Sequence, residues 1–277
     1  MKWLENSWQG IKGVSVIDSW KNWPSIGIVW LVHWDEPVAL KIFEKLLKID
    51  LKKGKLFLIL ANPKAWQLGQ RLVNHNLNRI WNKPIQYGSY EFQRMQELKE
   101  VLKQLDVVID IHSVSQGDEV MAIGDVRDIK LLKELFDVPW ILVDDMSKQW
   151  ALISYLIRQG KRWFGVEVGN HNSDKWAQRW VEFVKNILIW QNMIEGKIPS
   201  KKFIPKILRF WQEIYPSSEN FEFVKDFETF TFLSEGEVYA KDGKKLFGAS
   251  KDAWIWLVAK SIQVGDWAWF LFLEEKF

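Results

Sequence analysis

Two apolar segments place the strongest constraint on the fold. Residues 26–32 (IGIVWLV) lead directly into His33, and residues 107–111 (VVIDI) lead directly into His112. Short, mainly branched apolar runs are typical of strands that are buried on both faces of a sheet. Helical patterns lie between these runs, which favours a largely parallel sheet whose strands share one carboxyl edge. We therefore expect His33 and His112 to lie at that edge, where ligand sites in open α/β sheets are found.

Apolar periodicity extends this alternation of strands and helices along the chain. The predicted strands cover residues 10–20, 25–32, 55–60, 106–111, 120–123, 140–143 and 163–168, and the predicted helices cover residues 37–49, 90–105, 125–136, 147–158 and 173–194. Ser147 and Ser173 are suitable N-caps for the last two helices. Residues 64–89 are polar and lack periodicity, which favours an irregular binding loop. The last part of the chain has short apolar runs between turn signals, so we predict an α/β domain over residues 1–197 and a small β-rich domain over residues 198–277.

Composition excludes several classes of protein. The 38 basic and 35 acidic residues are spread along the chain and give a net charge of +3, which does not favour nucleic-acid binding. The absence of cysteine excludes disulfides, a thiol nucleophile and a cysteine zinc site. No apolar run approaches the roughly 20 residues needed to span a bilayer, and the N-terminus lacks the apolar segment of a signal peptide. We therefore predict a cytoplasmic protein without membrane or nucleic-acid partners, and the sequence leaves a homo-oligomer open.

His33, Glu36 and His112 form a candidate metal site. In isolation, His33-x-x-Glu36 is better explained as a polar loop residue beside a helix-starting glutamate that interacts with the helix dipole, and His112 alone is more often a structural histidine. The combination favours ligands, because the chain has only four histidines and two of them end the most strand-like runs. Two imidazoles and one carboxylate are a ligand set of catalytic zinc sites, which keep a fourth position for water.

Four further residues are candidates for chemistry. Glu167 lies in the apolar run 163–168, where a charge is costly unless it is paired or functional, so it is the best candidate for a base. A solvent-facing glutamate of an edge strand is the alternative. Arg71 and Arg79 suit an anionic substrate because guanidinium groups form bidentate hydrogen bonds with carboxylates. Solvated surface arginines are the more common alternative for each of them in isolation. Asp110 lies two residues before His112, on the same face of the predicted strand, so it could accept a hydrogen bond from His112 or contact the substrate. A structural role is the alternative.

Several motifs occur in a fixed order along the chain: VHWDEP, ANPKA, the segment from Arg71 to Arg79, IDIHS and VEVG. In order and spacing they resemble the succinylglutamate desuccinylase/aspartoacylase family, a branch of the zinc carboxypeptidase-like hydrolases. The resemblance extends over roughly residues 25–170. It implies a carboxypeptidase-like α/β domain, with a mostly parallel mixed sheet flanked by helices, followed by a small β-rich domain.

The resemblance also implies roles for individual residues. The matching positions are His33, Glu36 and His112 as ligands of one Zn²⁺ ion, Glu167 as the general acid/base that activates water, and Arg71, Asn78 and Arg79 as substrate-binding residues. Arg71 would also stabilise the developing oxyanion. No tyrosine of this chain matches the family's further substrate residues.

These assignments predict a zinc-dependent deacylase. It would hydrolyse the amide bond of a small N-acyl amino acid, or of a related amide that bears a carboxylate, by metal-activated water. A metallocarboxypeptidase that cuts peptides is an alternative within the enzyme class. A catalytically inactive member that binds a small anion is an alternative from another class.

Tryptophan is the abnormal feature of the composition, with 19 residues against 16 glycines. The family has glycine after the first histidine, where this chain has Trp34, and commonly aspartate where this chain has Asn76. Other tryptophans at positions that favour glycine are Trp23, Trp30, Trp66, Trp140 and Trp163. This pattern suggests that the source gene uses the codon UGA for glycine. The natural chain would then carry glycine in place of Trp34.

Overall fold

The computed structural model describes residues 6–21, 23–32, 38–84, 87–114, 118–143, 151–170, 175–214, 216, 218–257 and 269–276. The strands are β1 (Ser7–Trp8), β2 (Ile11–Lys12), β3 (Val14–Asp18), β4 (Ser25–Trp30), β5 (Lys55–Leu60), β6 (Val107–Val114), β7 (Val120–Gly124), β8 (Trp140–Val143), β9 (Arg162–Asn170), β10 (Lys206–Ile214), β11 (Phe221–Phe223), β12 (Thr231–Leu233), β13 (Val238–Asp242), β14 (Lys245–Gly248), β15 (Ala253–Leu257) and β16 (Trp269–Glu275). The α-helices are α1 (Val38–Leu46), α2 (Pro63–Leu68), α3 (Tyr90–Lys103), α4 (Ile129–Leu135), α5 (Leu152–Arg158) and α6 (Lys175–Trp190).

A large mixed sheet organises the described part of the chain. Its eleven strands follow the order β12-β15-β16-β10-β8-β7-β9-β6-β4-β5-β3. At its centre β4 is parallel to β5 and β6, and β6 is parallel to β9. Their carboxyl ends therefore lie at one edge of the sheet. The predicted fold class, a mixed α/β sheet with helices and additional β strands, is confirmed.

Helices cover both faces of this sheet. On one face Phe43 of α1 and Val184 of α6 pack against Ile28 in a fully buried core. On the other face Leu98 of α3 and Leu152 of α5 pack in a second core. Burial of each such side chain contributes about 1.5–3 kcal/mol, so the central strands are rigidly held from both sides. Among the helices that the structure describes, none is long and apolar enough to cross a membrane.

The C-terminal part of the chain is rich in β structure, as predicted. Its strand β10 pairs in parallel with β8, and β16, β15 and β12 continue the large sheet outward from β10. A separate sheet of three strands contains β11, β13 and β14. The C-terminal strands thus complete the large sheet and also form a small sheet of their own, and the domain boundary near residue 197 stays a prediction.

The prediction that residues 64–89 are irregular is wrong in two places. α2 begins at Pro63, and a 3₁₀ helix covers Leu77–Arg79. The Asn62 side chain accepts a hydrogen bond from the amide of Ala65, and proline at the first helical position needs no amide partner. Asn62-Pro63 is therefore a helix start, and the prediction of an irregular loop did not take it into account. The predicted N-caps Ser147 and Ser173 lie outside the described residues.

Candidate active site

The strand register places His112 of β6 directly beside Glu167 of β9. Paired residues of neighbouring strands point to the same face of a sheet, and Asp110 shares this face because it lies two residues before His112. This is the face on which Val108 packs against α3 and α5. Asp110, His112 and Glu167 therefore lie together at the carboxyl end of the central strands, as the sequence predicts for the first two.

His112 and Asp110 are in direct contact. Nε2 of His112 lies 2.9 Å from Oδ2 of Asp110, and the two side chains are 12% and 1% exposed. The second oxygen of Asp110, Oδ1, is buried and has no hydrogen-bond partner among the described residues. A carboxylate that holds one ring nitrogen fixes the orientation of a histidine, which is the usual arrangement behind a metal-ligating imidazole. The donor set at His112 therefore fits a metal ligand that is supported by Asp110.

Glu167 lies inside the sheet. β9 pairs with β6 on one side and with β7 on the other, and Glu167 is 8% exposed. The interpretation of Glu167 as a solvent-facing residue of an edge strand is therefore wrong. Burial of a carboxylate costs free energy unless the group is paired or used, and catalytic bases are commonly held in this way.

The other two predicted zinc ligands, His33 and Glu36, lie outside the described residues, as does Trp34. The strand that leads to them is well defined, because β4 pairs Val29 with Asp110. The amide of Asn62 donates to the carbonyl of Leu31, which joins the chain after β4 to the chain after β5. Among the residues that the structure describes, no group of three or more His, Asp or Glu side chains could hold a metal ion. The three-ligand zinc site stays a prediction.

Residues 71–79, hereafter the arginine loop, contain Arg71, Asn78 and Arg79. Arg71 is exposed, whereas Asn78 and Arg79 are half-buried. Oδ1 of Asn78 accepts a hydrogen bond of 2.9 Å from the amide of Leu152 at the start of α5, and Nη1 of Arg79 donates to the carbonyl of Asn78 at 2.7 Å. Asn78 therefore fixes the end of the arginine loop to the helix that covers the β6–β9 face.

Asn76 occupies the position where the family commonly has aspartate. Its side-chain oxygen accepts a hydrogen bond of 2.9 Å from the amide of Asn78 and caps the 3₁₀ helix. Asparagine and aspartate are nearly equivalent as N-caps, since both present an oxygen to the helix amides. The departure from the family pattern thus preserves the local structure.

Glu91, in the first turn of α3, is a residue of this region that the sequence did not single out. It is fully buried, and its carboxylate accepts hydrogen bonds from the amides of Val73 (2.6 Å), Asn74 (3.0 Å) and His75 (3.2 Å). Nδ2 of Asn62 lies 3.4 Å from the same carboxylate. In sequence Glu91 looks like an ordinary acidic residue at a helix N-terminus, so no local signal distinguishes it.

Tyr90 fixes the same end of α3 to its neighbours. Its amide donates to Oδ1 of Asn74 at 3.1 Å, and its phenol oxygen accepts from the amide of Lys64 at 3.3 Å. Burial raises the pKa of the Tyr90 phenol, so it stays protonated near neutral pH. Tyr90 thus acts in packing and hydrogen bonding and supplies no base.

Solved structures with the same fold come from several bacteria. A succinylglutamate desuccinylase from Vibrio cholerae superposes with a TM-score of 0.79 at 18% identity, over 95% of this chain and 86% of that one. The succinylglutamate desuccinylase of Vibrio parahaemolyticus gives 0.76 at 18% identity, over 96% and 87%. The product-bound ectoine utilization protein EutE (DoeB) of Ruegeria pomeroyi gives 0.73 at 16% identity, over 94% and 88%.

A comparison with curated proteins finds none that matches the sequence. A family model does match: the succinylglutamate desuccinylase/aspartoacylase catalytic domain covers residues 36–179, more than half of the chain. This range includes Arg71, His112 and Glu167, and the similar structures share the fold in which these residues lie. The chain therefore belongs to the succinylglutamate desuccinylase/aspartoacylase family, a family of deacylases.

Proposed function

We propose that this protein is a zinc-dependent deacylase that hydrolyses the amide bond of a small N-acyl amino acid, or of a related amide that bears a carboxylate. Membership of the family gives the reaction class. The observation that carries the proposal is the group of buried side chains at the ends of β6 and β9, where His112 is held by Asp110 and lies beside Glu167. Buried polar side chains on central strands cost stability, so their presence favours a catalytic use.

The proposed ligands of one zinc ion are His33, Glu36 and His112. Two imidazoles and one carboxylate are a common ligand set of catalytic zinc. Zinc held by them would lower the pKa of water and polarise the acyl carbonyl. Asp110 would keep the ring of His112 in the orientation that binding requires, because its carboxylate holds Nε2.

Glu167 is the proposed general acid/base. Its place one strand from His112, in the same register, brings a carboxylate next to the proposed ligand. It would take a proton from the attacking water and then give that proton to the leaving amine. Burial at 8% exposure keeps bulk water away from this transfer.

Arg71, Asn78 and Arg79 are the proposed substrate contacts. Arg71 would stabilise the oxyanion that develops on the acyl carbonyl, since a fixed positive charge is most useful where negative charge appears. Arg79 would bind the substrate carboxylate. Asn78 would offer its amide nitrogen, because its oxygen accepts the Leu152 amide.

Zinc content and hydrolysis of the purified protein test this proposal. We expect about one zinc per chain and hydrolysis of N-acetyl or N-succinyl amino acids, which chelation abolishes and zinc restores. Preferred release of C-terminal amino acids from peptides would favour the metallocarboxypeptidase. If the protein lacks both stoichiometric zinc and hydrolysis but still binds small carboxylates, the inactive anion-binding member would be favoured. A cytoplasmic location and a homo-oligomer stay predictions.

A further inference from the structure

Glu91 is a buried carboxylate that the proposed mechanism does not use. It is 0% exposed, and three consecutive amides of the arginine loop, those of Val73, Asn74 and His75, donate to it. A buried carboxylate is costly unless charge-assisted hydrogen bonds compensate for its lost hydration. The three amides provide this compensation, so the carboxylate and the loop backbone stabilise each other.

We propose that Glu91 is a positioning residue that sets the conformation of the arginine loop and thereby the places of Arg71 and Arg79. This inference rests on the proposed function for the roles of the two arginines. Glu91 acts through the backbone between the two arginines, because the amides that donate to it, at 73–75, lie between positions 71 and 79. Three amide groups that converge on one anion hold a turn in a single conformation.

Glu91 also connects the arginine loop to the sheet. Asn62, whose Nδ2 lies 3.4 Å from the Glu91 carboxylate, caps α2 and follows directly on the buried strand β5. Its amide donates to Leu31, on the path to His33. Through hydrogen bonds, the Glu91 carboxylate thus connects the arginine loop to the sheet edge that leads to the proposed zinc ligands.

An ordinary glutamate at a helix N-terminus would not have these contacts. Such a residue stabilises its own helix through the dipole or through a capping bond, usually in an exposed position. Glu91 instead accepts from a segment sixteen to eighteen residues earlier in the chain. Its contacts are therefore directed at the loop.

The test compares Glu91→Gln and Glu91→Asp with Glu100→Gln, an exposed glutamate of the same helix. We expect Glu91→Gln to lower kcat/KM about a hundredfold for a carboxylate-bearing N-acyl amino acid. A displacement of a binding or catalytic group by about 1 Å can reduce the rate by this factor. For the matching substrate with a carboxamide in place of the carboxylate, the loss should be about tenfold smaller. Glu91→Asp should recover part of the activity, Glu100→Gln should match the wild type, and zinc content should be unchanged throughout.

A purely structural role would lower Tm and reduce the activity on both substrates by the same factor, which would overturn the proposal. Hydrogen exchange of the amides at 73–75 provides a readout that does not need activity. We expect protection in the wild type and its loss in Glu91→Gln while α3 stays protected; equal protection in both would overturn the proposal. A wild-type chain without zinc and hydrolysis would refute the proposed function, whereas the exchange experiment would still decide whether Glu91 holds the loop.

A second inference concerns the tryptophans, and different observations carry it. Six described residues other than glycine have positive φ, and two of them are Trp20 (φ 60°) and Trp23 (φ 46°). Both side chains are exposed, so no packing explains why a bulky residue adopts a conformation that suits glycine. Trp30 is fully buried, its indole nitrogen has no acceptor among the described residues, and its ring centroid lies 3.9 Å from that of Phe43. Aromatic pairs normally stay about 4.5–7 Å apart, so Trp30 is crowded.

We infer that Trp20, Trp23 and Trp30 are encoded by UGA and that the natural chain carries glycine at these positions. Trp140 does not belong to this set, because its indole group makes specific contacts. Its indole nitrogen donates to Glu119 at 3.3 Å, and its ring stacks on Phe230 with centroids 4.4 Å apart.

The gene sequence tests this inference directly. We expect UGA at codons 20, 23 and 30 and UGG at codon 140; UGG at codons 20 and 23 would overturn it. Protein stability gives a second test. The chain with Trp20→Gly and Trp23→Gly should have a Tm equal to or above that of the sequence as written, whereas Trp140→Gly should lower it. A clear fall in Tm for the first variant would contradict the inference.

Discussion

The carboxyl ends of β6 and β9 and the pair β15–β16 belong to the same sheet but bury different kinds of side chain. At the first, Asp110 and Glu167 are buried beside His112. At the second, Ile255 and Leu271 lie in a hydrophobic core without charged side chains. Polar burial costs free energy, whereas apolar burial is the main source of stability. The first region therefore indicates function, and the second indicates what holds the sheet together.

This difference has a direct experimental consequence. Substitutions at the β6–β9 edge should change activity or metal binding while the protein stays folded. Substitutions in β15–β16 should lower the free energy of unfolding and leave the chemistry unchanged wherever the protein is folded. A substitution that affects both properties equally would mean that the two regions are not separable in this way.

The largest effect is expected for Glu167→Gln. The amide has the shape of the carboxylate but cannot accept a proton, so kcat should fall about 10²–10⁴-fold, the usual contribution of general acid–base catalysis. Steady-state kinetics and zinc analysis measure this, with Glu182→Gln on the exposed face of α6 as the control. Turnover near the wild-type value in a zinc-loaded Glu167→Gln protein would remove the base assignment.

Leu271→Ala should have the largest effect on stability. Leu271 is fully buried next to Leu233 and Ile255, so its truncation leaves a cavity that costs about 2–5 kcal/mol. Urea denaturation measures the change in the free energy of unfolding. At a temperature where both proteins are folded, kcat and zinc content should equal the wild-type values, and a selective loss of either would contradict the comparison.

Asp110→Asn should weaken zinc binding about 10–100-fold, because a partner that orients a ligating histidine typically contributes this much. The amide keeps the size of the carboxylate but loses the charge opposite Nε2 of His112. Competition with a chelator measures the affinity. Asp18→Asn is the matched control, because it removes a carboxylate of β3 that is paired with Lys55 of β5. It should leave zinc affinity unchanged. Equal affinities in all three proteins would mean that Asp110 does not support a ligand.

Local patterns predicted much of the fold. β5 and β8 begin and end at the predicted residues, because short apolar runs between polar residues are visible in one stretch of sequence. The side-by-side places of Asp110 and His112 follow from strand alternation. The pairing of β10 with β8 was not predicted, since strands far apart in sequence reveal no register.

The same limit explains why Glu91 was not predicted. Its contacts depend on how the arginine loop folds back on α3, which no periodic pattern encodes. α2 is a different case, because Asn62 and Pro63 are a recognisable helix start. α2 could thus have been predicted from one stretch of chain, whereas the contacts of Glu91 join two stretches that no local pattern relates.

The smallest effect concerns Asp137, which connects α6 to the segment just before β10. Its Oδ1 accepts hydrogen bonds from the amides of Lys202 and Phe203 just before β10, and Arg179 of α6 lies 3.2 Å from Oδ2. Burial raises the pKa of Asp137, but the amides of Phe203 and Lys202 and the Arg179 guanidinium outweigh it and hold this pKa below its usual value.

A depressed pKa fixes the sign of the pH dependence. The stabilisation by Asp137 is complete above the pKa of the unfolded aspartate, about 3.9, and is lost as the pH falls through the lower folded pKa. Asp137→Asn should therefore cost about 1 kcal/mol near pH 7 and progressively less below about pH 4. Urea denaturation across this range measures the difference, with the exposed Asp226→Asn as the control. A cost of Asp137→Asn that grows towards acid would mean that the carboxylate is destabilised in the fold, because its burial would then outweigh the two amides and the Arg179 guanidinium.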